Sequence, residues 1–526
     1  MENLTIKYSD QFDYDIKMLE SSPEMSFDKI TDNQFAVDIW LINHTNESNR
    51  PNINFEGKIY RTGFINKLNE MGFFKLKSKF GETIFVKKNG LIVKEVDKEE
   101  IKSDFFVNYL QSTGNLCVMY YDSMEVIRRE LLIETYLKQQ HLIFNEKFLH
   151  HLPTLETEFL RDKKGCSFFP FKNGIAVVTK DLFKLVPFDE FEVRGKCIWE
   201  NNIIPHHLEL SSRKNSHFSR FIQNVSNNDS KRIVSLESAL GYLLSDYSEP
   251  TKGQVIIIYD EALSQQGIPQ GGTGKGVIAK ALKVLRNSAK IDGKKILLND
   301  RFKWQNVTKQ TQIVHLDDIG KQFNFESIYS CSTDGWNVEA KYSPEFFIPP
   351  EESPKILITS NRVLDNKGTT NKRRQFTLEL SDYYSRQIKK GNEEPILKEH
   401  GCTFFSLDEW DKEEWSAFFT YMLKCNQLYH KKGLIHSESI NINENLLMQE
   451  TSLEFIEWMK SKNFELNKRY VTEELYEEFI SFADLNKDIF KQHKFSKYIT
   501  LMARRYEWEI ARYRSGGKSL FFFKSL

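Results

Sequence analysis

A glycine-rich segment that ends in a lysine constrains the fold of this chain more than any other feature. Residues 271–276 read Gly-Gly-Thr-Gly-Lys-Gly, and they lie between the apolar run Val255–Ile258 and the amphipathic pattern Val277–Leu282. A buried strand, a glycine-rich turn and a helix in that order form a phosphate cradle, because glycines let successive backbone N–H groups converge on an anion at a helix N-terminus. The sequence therefore predicts a nucleoside triphosphate site that uses Gly271, Gly272, Thr273, Gly274, Lys275 and Gly276.

Two acids follow at the end of a second apolar strand. Residues 311–318 read Thr-Gln-Ile-Val-His-Leu-Asp-Asp. An acid at such a strand end can hold Mg²⁺, and a second beside it can polarise the attacking water. We therefore expect Asp317 to be the metal ligand and Asp318 to activate water.

A third apolar strand and an arginine pair complete the set that a working ATPase needs. Residues 355–361 end in Asn361, whose amide is a candidate for orienting water against the γ-phosphate. Arg374 is the first candidate for an arginine that reaches across a subunit boundary and stabilises charge in the transition state. Arg373 and Arg362 are its rivals, and ordinary salt bridges are the alternative for all three.

Two departures from the usual cradle bear on activity. Gly276 stands where a Ser or Thr hydroxyl normally ligates Mg²⁺, and Pro269 replaces the first glycine of the standard spacing, with Gly267 nearby. Asp317, phosphate oxygens and an extra water are then expected to hold the ion, since Mg²⁺ keeps several waters in most sites. A cradle that binds nucleotide without hydrolysing it is the alternative.

These parts, with 42 residues from Lys275 to Asp317 and 43 from Asp318 to Asn361, resemble the superfamily 3 helicases of viruses, phages and plasmids. The resemblance is to the poxvirus-type, primase-helicase branch in particular. Residues 235–244 are similar to the helix that precedes the cradle in that branch, and residues 169–175 to its upstream turn. The resemblance covers roughly residues 165–435, with a weaker echo at the C-terminus.

The resemblance implies a multidomain α/β protein with a P-loop, AAA+-like ATPase core. It places a collar-like segment at residues 156–250, for which a plain linker is the alternative, and the ATPase domain at residues 251–440. The implied activity is that of an ATP-dependent, Mg²⁺-dependent DNA helicase that assembles into a ring, with six as the expected number of subunits. Such a protein serves replication of a phage, plasmid or integrated element, and a separate primase or polymerase is a possible partner.

A predicted hairpin is the expected contact with single-stranded DNA. Residues 333–344 contain a Gly335 turn followed by alternating residues, and their position is similar to that of the superfamily's channel-lining loop. By that resemblance Lys341 would grip a phosphate, while Tyr342 or Trp336 would stack on a base. Burial of Trp336 and a merely solvated Lys341 are the alternatives.

The C-terminal residues 450–526 read as a separate winged-helix-like domain, with three helices followed by a hairpin. Between Lys491 and Lys518 there are eight basic residues and two acids. A local basic excess is the electrostatic footprint of duplex binding. The expected duplex DNA contacts are Lys497, Arg504, Arg505, Arg512, Arg514 and Lys518, and a packing module with a solvated basic face is the alternative.

Residues 1–155 are expected to form a mixed α/β domain of unknown role. A strand is predicted over Gln34–Ile42 and a hairpin turn at 88–90. The metal-binding acids of a polymerase-type primase and the paired histidines of a nicking endonuclease are both missing at the spacing they need. An adaptor or structural role is therefore favoured for this domain.

Whole-chain composition limits the partners. The chain has 73 basic and 73 acidic residues, so no global field draws it to DNA and any such contact must be local. Its six cysteines are scattered, and neither an apolar leader nor a membrane-length apolar run is present. We expect a cytoplasmic protein of a bacterial host or virus-infected cell. An ATP-binding assembly or switch protein on DNA is the main alternative function, and a small-molecule kinase is disfavoured by the paired acids and Asn361.

Overall fold

A computed structural model gives the fold and describes residues 6–9, 28–31, 34–43, 56–77, 83–120, 123–190, 196–213, 215–249, 253–261, 272–296, 300–320, 323, 325–341, 345–361, 363, 373–391 and 393–525. The chain forms two compact units. The first comprises Met1–Leu160 with Val193–Glu200, and the second comprises Arg161–Glu192 with Asn201–Leu526. The finer division at residues 155, 250 and 440 stays a prediction.

The described strands, in chain order, are β1 (Ile6–Ser9), β2 (Asp28–Thr31), β3 (Gln34–Val37), β4 (Trp40–Asn43), β5 (Glu56–Ile59), β6 (Phe73–Lys77), β7 (Thr83–Asn89), β8 (Ile92–Val96), β9 (Asn115–Tyr120), β10 (Ser123–Ile127), β11 (Glu158–Phe159), β12 (Cys166–Phe171), β13 (Gly174–Thr179), β14 (Phe183–Val186), β15 (Lys196–Trp199), β16 (Val255–Asp260), β17 (Ser288–Asp292), β18 (Ile313–Asp317), β19 (Trp336–Val338), β20 (Phe346–Ile348), β21 (Lys355–Thr359), β22 (Gln375–Leu380), β23 (Tyr470–Val471), β24 (Trp508–Ser515) and β25 (Lys518–Ser525).

The described α-helices are α1 (Arg61–Glu70), α2 (Lys98–Phe105), α3 (Arg129–Gln139), α4 (Glu146–Leu149), α5 (His217–Val225), α6 (Ser230–Leu244), α7 (Lys275–Leu285), α8 (Tyr329–Thr333), α9 (Tyr383–Lys389), α10 (Pro395–His400), α11 (Lys412–Lys432), α12 (Ile442–Glu450), α13 (Leu453–Lys462), α14 (Thr472–Phe482) and α15 (Gln492–Arg505). A π-helical turn, Phe106–Leu110, continues α2, and short 3-10 turns occur at Gln140–Leu142, Glu200–Asn202, Phe325–Ile328 and Pro350–Glu352.

The first unit is a mixed α/β structure with small sheets. Their strand orders are β1-β9-β10, β2-β3-β4-β5 and β11-β15-β8-β7-β6. Aromatic side chains from α1, α2 and α3 share one buried cluster, in which the ring centroids of Phe64 and Phe105 are 4.8 Å apart and those of Phe105 and Tyr136 are 5.6 Å apart. Such ring pairs supply much of the apolar burial of a small core.

Two local predictions for this unit had different outcomes. The single strand expected over Gln34–Ile42 is wrong, because the chain turns there and β3 pairs antiparallel with β4. The turn is at Asp38, whose φ of 50° lies in the left-handed region that Asp tolerates better than most residues. The turn expected at 88–90 is confirmed, with Gly90 at φ 57° and Asn89 paired with Ile92.

The second unit is organised around a five-stranded parallel sheet of order β17-β18-β21-β16-β22. All five residues of β21 are buried, as are the first five of β16. Strands covered on both faces read as continuous apolar runs, which explains these sequences. On one face Ile256 and Ile258 pack with Ile278 of α7, and on the other Ile257 packs with Val314.

A smaller antiparallel sheet and a long helix flank the parallel sheet. The small sheet has the order β12-β13-β14. Helix α11 is capped at its start by the Asp411 side chain, and Gly433, with a φ of 69°, follows its last residue, as glycine often does at helix ends. Helix α6 approaches α11 so closely that a Cβ on Gly241 would lie 2.1 Å from the carbonyl oxygen of Cys425.

The C-terminal part of the second unit contains α13, α14 and α15 followed by the β24–β25 hairpin, in the order the sequence predicted. The short strand β23 pairs with β25, which gives the sheet order β23-β25-β24. Helix α12 leads into this part from the parallel sheet. Its residues Ile442 and Leu446 belong to the core of that sheet, whereas Leu447 belongs to the C-terminal core. The two cores therefore share one helix.

Within the part of the chain that the structure describes, no helix combines the length and apolar content that crossing a membrane requires.

Candidate nucleotide-binding site

The segment before α7 is shaped by glycines in the left-handed region. Gly272 and Gly274 have φ of 90° and 103°, a conformation that favours glycine. A Cβ on Gly272 would lie 2.3 Å from the side chain of Ile388, and one on Gly274 would lie 2.6 Å from Phe221. Backbone conformation and close packing thus both require glycine at these two positions. The predicted Gly271 lies outside the described residues.

The side chain of Lys275 is held at the carboxyl edge of the parallel sheet. Its Nζ lies 2.5 Å from Oδ2 of Asp260, the last residue of β16, and 2.8 Å from Oδ1 of Asn361, two residues beyond β21. The Thr273 hydroxyl donates to Oδ1 of Asp260 at 2.5 Å. The structure therefore brings the predicted residues Lys275 and Asn361 into contact.

Asp260 is the site residue that the sequence interpretation missed. Its carboxylate accepts hydrogen bonds from both Lys275 and Thr273. The available signal was an acid at the end of the strand that leads into the glycine-rich segment. That signal is weak, because 14 residues separate Asp260 from Lys275.

The two predicted acids end β18 on the same edge of the sheet. Asp317 accepts a hydrogen bond from the Thr359 hydroxyl at 2.8 Å, and its other oxygen lies 2.6 Å from Nζ of Lys290. Asp318 is paired with Lys294. Each acid therefore has a lysine partner from β17 or the turn that follows it.

Asp318 is joined to the neighbouring strand through both backbone and side chain. Its φ is 53°, and its N–H donates to the carbonyl oxygen of Thr359 at 2.9 Å. The Asn361 side-chain amide donates to Oδ1 of Asp318 at 3.1 Å. A hydrogen-bonded row thus runs along the sheet edge from Asp260 through Lys275 and Asn361 to Asp318.

The protonation states at this edge follow from burial and hydrogen bonding. Partial burial opposes ionisation of Asp317, but the hydrogen bonds from Lys290 and Thr359 outweigh it and lower the pKa of that carboxyl. Burial lowers the pKa of His315 to about 4, and its Nε2 lies 3.0 Å from the Thr359 hydroxyl. At neutral pH the site has an ionised Asp317 beside a neutral His315.

Gly276 is the second residue of α7, and its surroundings are open. No described atom lies within 4 Å of the position that a Cβ on Gly276 would take. The absence of a hydroxyl here is therefore not imposed by packing. Within the described residues no three His, Cys, Asp or Glu side chains form a metal-binding group, so Asp317 stands as a single candidate ligand.

Two of the three candidate arginines lie at the opposite edge of the sheet, and the third, Arg362, lies outside the described residues. Arg373 and Arg374 directly precede β22, whose first residue, Gln375, is aligned with Val255 at the start of β16. The rise of the intervening strand separates them by about 17 Å from the edge that carries Asp260. The fold does not bring either arginine to the site of its own chain.

The predicted hairpin exists as the antiparallel pair β19–β20. Lys341 lies in its loop and is exposed, and Tyr342 lies outside the described residues. Trp336 is 1% exposed and packs edge-on against Trp304 with centroids 4.8 Å apart. The suggestion that Trp336 stacks on a DNA base is therefore wrong, because its ring belongs to the core.

The predicted C-terminal DNA contacts fall into two groups. Lys497, Arg504 and Arg514 are exposed, and no ion pair involves them in the described chain. The others have partners within the protein: Arg505 pairs with Glu450 at 3.1 Å, Lys518 pairs with Glu474 at 2.9 Å, and Arg512 donates to Thr500 at 2.6 Å.

No family model matches the chain, and no curated protein matches it. Among solved structures, the A form apo structure of the NrS-1 C-terminal region is 13% identical, covers 78% of this chain and 94% of that chain, and has a TM-score of 0.33. An apo structure of NrS-1 residues 305–718 is 12% identical over 78% of this chain and 93% of that one, with a TM-score of 0.34. A crystal structure of JCV helicase with a bound acetamide compound is 12% identical, covers 47% of this chain and 64% of that one, and has a TM-score of 0.26. At TM-scores this low the likenesses carry no argument about activity.

Proposed function

We propose that this chain is an ATP-dependent DNA helicase of the superfamily 3 type that works as a ring, with six subunits as the expected number. The observation that carries the proposal is the contact of Lys275 with Asn361 and of Asn361 with Asp318 at one sheet edge. A phosphate-binding lysine, a water-orienting amide and a carboxylate base are needed together for attack on a γ-phosphate. The start of α7 and the ends of β18 and β21, which are distant in sequence, bring Lys275 and Asp318 each within hydrogen-bond distance of Asn361.

The roles follow from the positions. Lys275 and the amides of the glycine-rich segment hold the phosphates of ATP, Asn361 orients water, and Asp318 accepts its proton. The ionised Asp317 suits Mg²⁺, which prefers carboxylate and water oxygens. When bound, Mg²⁺ would neutralise charge on the phosphates.

The arginines act between subunits in this proposal. Because Arg373 and Arg374 lie at the far edge of their own sheet, either one can complete only a neighbour's site, which requires a ring. Single-stranded DNA is gripped by Lys341 on the exposed hairpin loop. The C-terminal part serves as a winged-helix-like duplex-binding module, and a primase or polymerase is supplied by a separate chain.

Gly276 favours a second candidate, a nucleotide-dependent switch or assembly protein that binds ATP and DNA without unwinding. Without the hydroxyl the Mg²⁺ ion has one protein ligand fewer. The helicase and the switch protein would use the same ATP site, and they differ in whether ATP is hydrolysed.

The deciding experiment measures Mg²⁺-dependent ATP hydrolysis by the full chain with and without single-stranded DNA. We expect turnover stimulated by DNA, abolished by Lys275→Ala, and no longer stimulated by DNA in Lys341→Ala. Lys424→Ala, which removes an exposed lysine from α11, is the matched control and should behave as wild type.

ATP binding without turnover would eliminate the helicase and leave the switch. Absence of ATP binding would eliminate both. DNA-stimulated turnover in Lys341→Ala would remove that residue from the proposed DNA contact, and a strand-displacement assay would then test unwinding directly.

A further inference from the structure

Asp260 contacts both Lys275 and Thr273 of the proposed nucleotide site. Its side chain is 11% exposed, and that of Lys275 is 13% exposed. One carboxylate oxygen accepts from the Lys275 ammonium and the other from the Thr273 hydroxyl. A charge-assisted hydrogen bond in such a sheltered place is stronger than one in water.

The geometry of the Lys275 ammonium group determines where its third N–H points. A lysine has three N–H donors. Within the described residues, those of Lys275 go to Asp260 on β16 and Asn361 beyond β21. With two donors fixed to adjacent strands, tetrahedral geometry fixes the line along which the third can reach a phosphate oxygen.

Asp260 joins the start of α7 to the end of β16. Fourteen residues, 261–274, separate the end of β16 from Lys275 in the sequence. The two hydrogen bonds to Asp260 attach the last part of the connection directly to the strand.

The neighbouring acid, Glu261, has a different partner. The Glu261 side chain pairs with Arg232 of α6 at 2.8 Å, so it points to a different element. Two adjacent acids of equal charge thus have separate partners, one in the phosphate site and one outside it.

We propose that Asp260 is a positioning residue of the nucleotide site, which orients the Lys275 ammonium toward the phosphates and ties Thr273 to the strand before nucleotide arrives. The inference rests on the proposed nucleotide site and adds to it a residue that no motif marks. Its action is on phosphate binding and not on Asp317 or Asp318, which lie at the end of β18.

The test compares Asp260→Asn with Glu261→Gln in the full chain, because both remove one negative charge from adjacent positions. ATP affinity is measured calorimetrically with Mg²⁺ present, and the unfolding of each variant is measured in urea. Loss of a charge-assisted hydrogen bond predicts roughly tenfold weaker ATP binding for Asp260→Asn. Glu261→Gln should stay within about twofold of wild type, and in turnover Asp260→Asn should raise KM while leaving kcat nearly unchanged.

Unchanged ATP affinity in Asp260→Asn overturns the inference. Tighter ATP binding by Asp260→Asn also overturns it, because it would show that the carboxylate competes with phosphate for Lys275. An equal loss of ATP affinity in Glu261→Gln overturns it as well, because that loss would reflect net charge alone. If Asp260→Asn does not fold, Thr273→Val takes its place, since it removes one of the two hydrogen bonds and no charge; roughly threefold weaker binding is then expected. Wild type that binds no ATP overturns the proposed function together with this inference, whereas wild-type binding with an indifferent Asp260→Asn overturns only the inference.

Discussion

At the scale of single residues, Gly276 is the position where sequence and structure bear most directly on activity. A cradle of this kind normally has a hydroxyl here, and the structure leaves space for one. Packing therefore does not require a glycine at position 276. In the proposed site Asp317 is the one carboxylate predicted to ligate Mg²⁺, and position 276 adds no ligand.

We predict that Gly276→Ser raises Mg²⁺-dependent ATP turnover several-fold, because the new hydroxyl can ligate the ion from the first turn of α7. Gly276→Ala is the matched control. Both substitutions remove a glycine from the helix and should stabilise it by about 0.5–1 kcal/mol, but only Ser adds a ligand. Steady-state turnover at varied Mg²⁺ separates them, and equal rates for Ser and Ala would show that position 276 does not contact the ion.

The sequence predicted that Asp317, Asp318 and Asn361 belong to one candidate site, but it did not single out Asp260. Asp317, Asp318 and Asn361 could be found because each follows a run of buried residues, and parallel strands place their carboxyl ends on one edge. Asp260 also ends such a strand, but only the structure shows that the Lys275 ammonium contacts it. Spacing along the sequence does not report such a contact.

Other errors have the same physical origin. The turn at Asp38 interrupts an apolar run with a single residue, so periodicity alone does not indicate it. The burial of Trp336 depends on Trp304, which precedes it by 32 residues. Local patterns fix helices and strands, whereas these features depend on tertiary contacts.

At the scale of elements, α15 presents adjacent arginines with different surroundings. Arg504 is exposed, and Arg505 is paired with Glu450 at the end of α12. The ion pair between Arg505 and Glu450 also connects α15 to α12, the helix that the C-terminal core shares with the core of the parallel sheet. Arg504 is thus exposed to solvent, while Arg505 links α15 to α12.

We predict that Arg504→Ala weakens duplex DNA binding and lowers the slope of log affinity against log salt by about 1, as loss of one phosphate contact should. Arg505→Ala should change that slope less and lower the urea midpoint more, because it breaks an intramolecular ion pair. Fluorescence anisotropy at several salt concentrations, with unfolding measured in parallel, provides the comparison. Identical slopes for Arg504→Ala and wild type would remove α15 from the duplex contact.

At the scale of the whole molecule, buried histidines make stability depend on pH. His400 is hydrogen bonded to the Tyr384 hydroxyl at 2.8 Å, and His430 to Ser167 at 2.9 Å. Burial, with nearby positive groups adding to it, lowers the pKa of each to about 4. The unfolded chain, in which a histidine has a pKa near 6.5, therefore binds more protons between these two values.

We predict that the free energy of unfolding falls as pH drops from about 6.5 to about 4, by about 1.4 kcal/mol per pH unit for each such histidine. His400→Gln should lessen this dependence. His493→Gln, which alters an exposed histidine, should leave it unchanged. Urea unfolding at a series of pH values makes the comparison, and an unaltered pH profile in His400→Gln would contradict the assignment.

The row of charges at the carboxyl edge of the parallel sheet has a kinetic consequence. Asp260, Asp317 and Asp318 are each matched by a lysine. Because these three pairs have no net charge, they extend little field beyond one Debye length, about 8 Å at physiological salt. If ATP binds at the proposed site, its association rate should therefore depend little on ionic strength, because these pairs provide little electrostatic steering.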